Sequence, residues 1–267
     1  MDKVMISVAP VASTDKNIVP DKIATDVLNC WQAGASMVHL HVRDALGNLT
    51  TDMSHLEETL RLIRKDSDMI IQVSTGGVSN LSIKERCVPL YSDLVEASSL
   101  NVGSTNLGKA VYCNPIDDVE YCVRELLKMK KTPEVEVFEM GHIFAMKELM
   151  EQYEFRNPVL FSIVLGHKGE APATPEVLAA MIQMIPKETL WGITQANRRD
   201  FSIIAAALGM GASTVRIGFE DSNYLDHHTV VDTNLPLVEK TVRLIRAMDK
   251  EPMNPTEARR KFNIFSK

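Results

Sequence analysis

Short apolar stretches and longer amphipathic stretches alternate along almost the whole chain. The short stretches are the length of strands and are followed by glycines or polar turns, as expected for strands of a parallel sheet. They predict eight strands, at residues 4–9, 37–42, 69–74, 94–99, 134–138, 159–165, 190–194 and 214–218. The stretches between them predict helices at residues 21–33, 54–65, 83–90, 115–130, 143–155, 175–185, 200–208 and 235–248.

This alternation of strand and helix determines the predicted fold class. Eight strand–helix units within 267 residues match the size and order of a (β/α)8 TIM barrel. An open, doubly wound sheet is the alternative, but the G-x-G-x-x-G expected after its first strand is absent. No domain boundary is seen, so residues 1–267 are predicted to form a single barrel domain with a C-terminal helical tail. In that tail, residues 256–261 are expected to be helical and to pack on the outside.

The second predicted strand carries two histidines at alternate positions. His39 and His41 are separated by one apolar residue, so both imidazoles are expected on one face of the strand. That spacing suits two nitrogen ligands of one metal ion. The alternatives are an edge strand that exposes both histidines, or two core histidines with satisfied hydrogen bonds. In a barrel, both residues would lie at the carboxyl ends of the strands, where active sites of this fold are assembled.

A catalytic zinc site needs a third protein ligand and one open position. Glu220 is the best candidate, because strand eight closes the barrel beside strand one and brings Glu220 near strand two. The adjacent Asp221 is then placed as a general base, and Arg216 orients it or the substrate's carboxylate. The alternative is that Glu220 and Asp221 cap the next helix or turn.

Further polar residues lie near the ends of the middle strands. In the turn at residues 74–77, Gly77 lets backbone N–H groups approach an anion and Ser74 adds a hydroxyl donor; a plain strand-to-helix turn is the alternative. Ser99 ends strand four. Glu136 falls on the interior face of strand five, so we expect it to pair with a cation or to hold a polar substrate group.

Three loops add basic or histidine side chains. Arg198 lies in the loop after strand seven, where this fold often binds phosphate, and a solvated basic turn is the alternative. His142 follows strand five and is expected to cap the next helix. His167 follows strand six, where it would either meet an acidic substrate or belong to a flexible loop.

Composition limits the class of protein and its partners. The chain is 45% hydrophobic and 24% charged, with a net charge of -6 and a pI near 5.7, which argues against nucleic-acid or anionic-membrane partners. The first residues do not resemble a signal peptide, and no apolar run is long enough for a membrane span. The 4 cysteines form no C-x-x-C pair. A cytoplasmic protein with reduced cysteines is predicted.

Several of these segments together resemble the β-keto acid cleavage enzymes, whose type member cleaves 3-keto-5-aminohexanoate. The resemblance covers essentially the whole chain and is carried by residues 33–34 and 39–44, 72–77, 99–101 with Gly103 and Asn106, 133–137, 164–166 and 215–221. Their order and spacing, rather than any single motif, make it specific. It implies a zinc-containing (β/α)8 barrel, usually a homo-oligomer (a tetramer or dimer), that condenses a β-keto acid with acetyl-CoA. The products would be acetoacetate and a new CoA thioester.

Position by position, the resemblance implies roles for the residues already named. One zinc ion per chain would be bound by His39, His41 and Glu220. The keto acid would be contacted by Ser74, Gly77, Ser99 and Glu136. Arg216 and Asp221 would be the acid/base pair, and Arg198 would contact the phosphates of CoA.

The chain departs from the family pattern at three places. The aminohexanoate enzyme has a glutamate in the loop after strand one that meets the substrate's amino group, whereas residues 11–16 here contain none and offer only Asp15. The glycine-rich loop after strand seven is replaced, with Arg198 as its remaining CoA contact. His167 stands where many relatives have a smaller apolar residue, which makes the pocket more polar. An amino-substituted substrate is therefore not implied.

Two other classes compete with this interpretation. Metal-dependent amidohydrolases also use His-x-His, followed by histidines after strands five and six and an aspartate after strand eight, roles that His142, His167 and Asp221 would fill. Against this class, the histidine pair lies on strand two and no lysine on strand four could bridge two metals. A non-catalytic binding protein built on a degenerate barrel is the third class, and the presence of every proposed ligand and of the base argues against it.

Overall fold

The eight predicted strands close into a parallel barrel in the computed structural model, which describes residues 2–264. Met1 and residues 265–267 of the predicted single domain lie outside the described residues. The strands are β1 Lys3–Val8, β2 Met37–Leu40, β3 Ile70–Ser74, β4 Ala97–Asn101, β5 Thr105–Leu107, β6 Ala110–Tyr112, β7 Thr132–Val137, β8 Leu160–Leu165, β9 Leu190–Gln195, β10 Thr214–Ile217 and β11 Glu251–Pro252. The barrel runs in the order β1-β2-β3-β4-β7-β8-β9-β10, and β10 pairs with β1 to close it, with Thr214 opposite Met5.

Helices connect the barrel strands and cover the outside of the barrel. They are α1 Pro20–Gln32, α2 Ser54–Asp66, α3 Ile83–Arg86, α4 Ile116–Lys128, α5 Met140–Gln152, α6 Pro175–Met184, α7 Ser202–Gly209, α8 Leu235–Ala247 and α9 Pro255–Lys261. The helix predicted at residues 83–90 is divided, because α3 ends at Arg86 and a 3-10 turn, Val88–Tyr91, follows. Pro89 lies in that turn and has no N–H to donate to a carbonyl one helical turn earlier. Among residues 2–264, no helix is both long and apolar enough to cross a membrane.

The C-terminal tail closes the barrel at the amino ends of its strands. Strand β11 pairs with β1, with Glu251 opposite Lys3, and this pairing directs the following residues underneath the barrel. The tail and the strands share one apolar cluster: Met5, Met37, Ile70, Leu160, Met253, Ala258, Phe262 and Ile264. The expectation that the tail packs on the outside was therefore wrong. Burying an aromatic or aliphatic side chain of this kind contributes about 1.5–3 kcal/mol, which favours the tail covering the open end.

Candidate active site

The three predicted metal ligands come together at the carboxyl ends of the strands. Strand β2 ends at Leu40, so His41 lies just after the strand rather than on it, but both histidines still face Glu220. The Nε2 atoms of His39 and His41 lie 3.7 and 3.4 Å from the same oxygen of Glu220. Among the described residues, they form the one group of three such ligands, with the ligand atoms all within 4.8 Å of one another.

The turn after β10 explains how Glu220 reaches the histidines. Gly218 has a φ of +144°, a backbone conformation that favours glycine, and a Cβ at this position would collide with the backbone of Ala9. The close approach lets the N–H of Glu220 donate to the carbonyl of Ala9 at 3.1 Å. The start of the β10–α8 loop is thereby attached to the end of β1, next to β2.

The group fits a zinc ion by both distance and charge. Two ligands of one zinc ion lie about 3–4 Å apart, because each zinc–ligand bond is about 2.0–2.2 Å. Two imidazoles and one carboxylate with a fourth, open position are a donor set of catalytic zinc sites. Burial lowers the pKa of His39, which favours the neutral imidazole that a metal needs. Burial alone would raise the pKa of Glu220, but His41, Arg216 and His39 lower it well below its usual range.

Arg216 is the centre of a buried network of carboxylates. Its Nε and Nη2 donate to the two oxygens of Asp221 at 3.0 and 2.6 Å, and its Nη1 donates to Glu136 at 2.9 Å. Its Nη2 also lies 3.3 Å from Glu220. Burial opposes the charge of Arg216, but Asp221, Glu220 and Glu136 raise its pKa well above the usual value. One guanidinium faces three carboxylates, and a bound divalent cation would offset the excess of negative charge.

The acid/base candidate Asp221 lies within this network. It is 8% exposed and lines the same cavity as the two histidines and Glu220. Burial raises the pKa of the Asp221 carboxyl, and its two hydrogen bonds from Arg216 oppose that rise. Burial likewise raises the pKa of Glu136, opposed by the charge of Arg216. The sequence predicted that Glu136 pairs with a cation or holds a polar substrate group. The structure shows the cation, which is Arg216, and the contact with substrate stays a prediction.

Ser74 and Gly77 line the cavity, whereas Ser99 lies behind them. Ser74 Oγ accepts the N–H of Gly76 at 3.0 Å, which fixes the turn, and Gly77 has a φ of +124°. Ser99 is fully buried and its hydroxyl donates to Ser74 Oγ at 3.3 Å. Strand β4 begins at Ala97 and ends at Asn101, because Ser92 and Val95 form a turn instead of strand, so Ser99 is not the strand end that was predicted.

A cavity of about 780 Å³ extends from the metal group across the barrel mouth. Its far wall includes Phe138 after β7, His167 after β8, and Tyr112 on the hairpin β5–β6. The sequence analysis does not predict this hairpin. Gly108, in a short turn between two alternating segments, is the feature of the sequence that indicates it. Asn101 also lines the cavity, and its Oδ1 has no hydrogen-bond partner within the described part of the chain.

Arg198 and His142 are not part of the cavity lining. Arg198 is 1% exposed, its guanidinium packs 4.2 Å from the centre of the Phe201 ring, and burial lowers its pKa to about 10. A contact with CoA phosphates stays a prediction for this residue. His142 Nδ1 accepts the N–H of Phe138 at 3.2 Å and its Nε2 lies 3.4 Å from the carbonyl of Ser104. Both ring nitrogens face backbone groups, so His142 holds the start of α5 in place. Neither nitrogen is then free to bind a metal, as an amidohydrolase would need from the histidine after this strand.

Gln72 and Glu134 are two further polar residues near the site. Both lie in segments that carry the family resemblance, but the sequence indicated no role for either. Gln72 lies on β3 and accepts from His39 Nδ1, with Nδ1 and Oε1 2.6 Å apart. The amide nitrogen of Gln72 donates to Glu134 on β7. Both side chains lie inside the barrel beneath the metal group.

The fold and this group of side chains define a class of protein: an enzyme on a (β/α)8 barrel with a candidate metal centre beside a buried arginine–aspartate pair. Comparison with known proteins makes the class specific. The sequence profile of the β-keto acid cleavage enzyme family matches residues 3–264. The chain is 33% identical over 268 residues to the 3-keto-5-aminohexanoate cleavage enzyme of Fusobacterium nucleatum, covering 97% of each chain. This chain therefore belongs to the β-keto acid cleavage enzyme family, as the sequence predicted.

Two more distant proteins are similar to this chain, one in sequence and one in fold. The 3-dehydrocarnitine:acetyl-CoA trimethylamine transferase of Rhizobium meliloti is 27% identical over 270 residues, which are 92% of this chain and 89% of that one. The apo structure of ObcA superposes with a TM-score of 0.81 at 18% identity, covering 92% of this chain and 65% of that chain. The likeness to ObcA confirms the predicted barrel fold.

Proposed function

We propose that this enzyme is zinc-dependent and condenses a β-keto acid with acetyl-CoA to give acetoacetate and a new acyl-CoA. The observation that carries the proposal is the convergence of His39, His41 and Glu220 beside the Arg216–Asp221 pair in one cavity. The acetyl-CoA in the name of the Rhizobium meliloti relative supports the second substrate. A metal bound by the three ligands would act as a Lewis acid toward the oxygens of the keto acid.

In the proposed reaction, Asp221 is the base that starts the first step. Asp221, held by two hydrogen bonds from Arg216, takes a proton from C2 of the β-keto acid, and the carbanion attacks the thioester carbonyl of acetyl-CoA. The CoA thiolate leaves, attacks the original 3-oxo carbon, and cleavage of the C2–C3 bond gives the new acyl-CoA. The remaining carbanion takes back the proton from Asp221 and leaves as acetoacetate. Ser74 and the N–H groups of its turn would donate to the developing oxyanions.

The carboxylates that line the cavity are already paired, which argues against a substrate with an ammonium group. Within residues 2–264, the carboxylates that line the cavity are Glu136, Glu220 and Asp221, and all three face Arg216. Asp15 is not in the lining, because its Oδ2 accepts the N–H of Ala12 at 2.9 Å and it faces a separate groove. The acyl substituent is therefore proposed to carry no amine.

The test is a panel of β-keto acids incubated with acetyl-CoA and the zinc-loaded protein. We expect acetoacetate and one new acyl-CoA in equal amounts, with substrates lacking an amine preferred over 3-keto-5-aminohexanoate. Absence of acetoacetate with every member of a broad panel would contradict the reaction. Preference for the amino-substituted acid would contradict only the substrate assignment. The cytoplasmic location and the homo-oligomer stay predictions, and gel filtration tests the latter.

A further inference from the structure

The side of His39 away from the metal group is connected to a row of buried polar side chains. His39, Gln72 and Glu134 lie on β2, β3 and β7, point into the barrel, and are 1%, 1% and 6% exposed. His39 is paired in register with Gln72, whereas β4 separates Gln72 from Glu134. The row therefore crosses the barrel interior, in the layer below the Arg216 network.

The amide of Gln72 forms hydrogen bonds with His39 at one end of the row and with Glu134 at the other. An amide has a nitrogen that only donates and an oxygen that only accepts. Because the nitrogen of Gln72 donates to Glu134, its oxygen faces His39 Nδ1 at 2.6 Å. An oxygen there requires a hydrogen on Nδ1 of His39. The lone pair of His39 is then left on Nε2, the atom that lies 3.7 Å from Glu220.

His41 lacks this support and provides a contrast within the same site. The Nδ1 atom of His41 is buried and has no hydrogen-bond partner among the described residues. Its side chain is 12% exposed, compared with 1% for His39. Of the two histidine ligands, one is fixed by a row of side chains and the other is not.

The geometry points to Gln72 and Glu134 as positioning residues that hold His39 in the tautomer and orientation needed to bind a metal through Nε2. The inference rests on the metal site of the proposed function. Outer partners of metal-bound histidines typically change metal affinity by about 10–100-fold when removed. A carboxylate commonly contacts such a histidine directly; here Gln72 stands between them and transmits the orientation.

The test combines a tautomer measurement and a zinc affinity. In zinc-free protein with 15N-labelled histidine, NMR should show the His39 hydrogen on Nδ1, with the signal assigned by its loss in His39→Ala. Gln72→Leu should weaken zinc binding about 10–100-fold in competition with a chelator. It should also shift His39 toward a mixture of tautomers. Glu134→Gln, which allows either amide orientation at Gln72, should have a smaller effect in the same direction.

Ser98→Ala is the matched control. Ser98 is fully buried on β4, and its hydroxyl donates to the backbone carbonyls of Val73 at 2.8 Å and Ser99 at 3.2 Å. The substitution therefore removes a buried hydrogen-bond donor without altering the row, and tests for general destabilisation. Its zinc affinity should stay within twofold of wild type. A His39 hydrogen on Nε2 in the wild-type protein would overturn the proposal, and that measurement needs no folded variant. So would an unchanged zinc affinity in Gln72→Leu. Neither the tautomer measurement nor the zinc affinity depends on acetoacetate formation. The roles of Gln72 and Glu134 can therefore be tested even if the protein binds zinc but has no cleavage activity.

Discussion

The two ends of the barrel interior are built from the same strands but differ in chemistry. Met37 and Ile70, at the starts of β2 and β3, belong to the apolar cluster that the C-terminal tail covers. Two residues later on the same faces are His39 and Gln72, which belong to the metal end. Because side chains two residues apart on a strand share a face, each of these strands contributes an apolar core residue and a polar site residue to the barrel interior. The two residues lie at different depths in the barrel.

The polar end depends on the apolar end and on the outer core for its stability. Burying several charges costs free energy even when they are paired, and Arg216 with its carboxylates is such a group. The tail cluster and the strand–helix core offset that cost by burying apolar side chains. Substitutions at the two ends should therefore fail in different ways: activity and metal at one end, stability at the other.

The largest effect is expected from removing a metal ligand. His39→Ala should lose bound zinc and lower kcat/KM by at least about a thousandfold, since Lewis-acid assistance is worth several kcal/mol. Metal analysis and steady-state kinetics on the same preparation measure both. The exposed His228→Ala is the control and should retain both zinc and activity. A His39→Ala enzyme with wild-type turnover would contradict the assignment of the site.

Removing the base should separate catalysis from metal binding. Asp221→Asn should retain one zinc per chain and lower kcat by about 10²–10⁴-fold, because general-base catalysis contributes that much. Its amide can still accept one hydrogen bond from Arg216. Full activity in this variant would show that the base lies elsewhere.

At the opposite end, Phe262→Ala should change stability instead. Phe262 is 2% exposed, and truncating a buried Phe costs about 3–5 kcal/mol of unfolding free energy. Zinc content and kcat at a temperature where the variant is folded should stay near wild type. Phe144→Ala, at a residue 52% exposed, should change the free energy by no more than about 0.5 kcal/mol. Loss of zinc in the Phe262 variant would mean that the two ends are coupled.

A smaller effect is expected from metal removal. A ligand at 100 times its Kd stabilises the folded state by about 2.7 kcal/mol, so stripping zinc should lower the Tm by a few degrees. Phe262→Ala should show the same shift on stripping as wild type, because its change lies at the other end. His39→Ala should show none, and a shift of wild-type size there would contradict the proposed ligand set.

The site residues that could be predicted are those fixed by strand alternation and barrel closure. His39 and His41 share a face because a strand repeats every two residues, and Glu220 follows the strand that pairs with β1. Gln72 and Glu134 could not be found this way. Their contact joins side chains 62 residues apart on strands that are not neighbours, and it depends on strand register and depth.

Errors at other elements have similar physical causes. Ser99 was placed at the end of a strand, but the turn at Ser92 and Val95 moves the whole of β4 toward the carboxyl side. The tail helix was predicted, but a helix's apolar face does not indicate which surface it will cover. The pairing of β11 with β1 decides that, and a strand of two residues leaves almost no pattern in a sequence.

The most direct test of the central claim is anomalous diffraction at the zinc edge from crystals of the purified enzyme. We expect one peak per chain, within about 2.0–2.2 Å of His39 Nε2, His41 Nε2 and a carboxylate oxygen of Glu220. No peak at this position, or a zinc ion bound at His167 or His142 instead, would contradict the account.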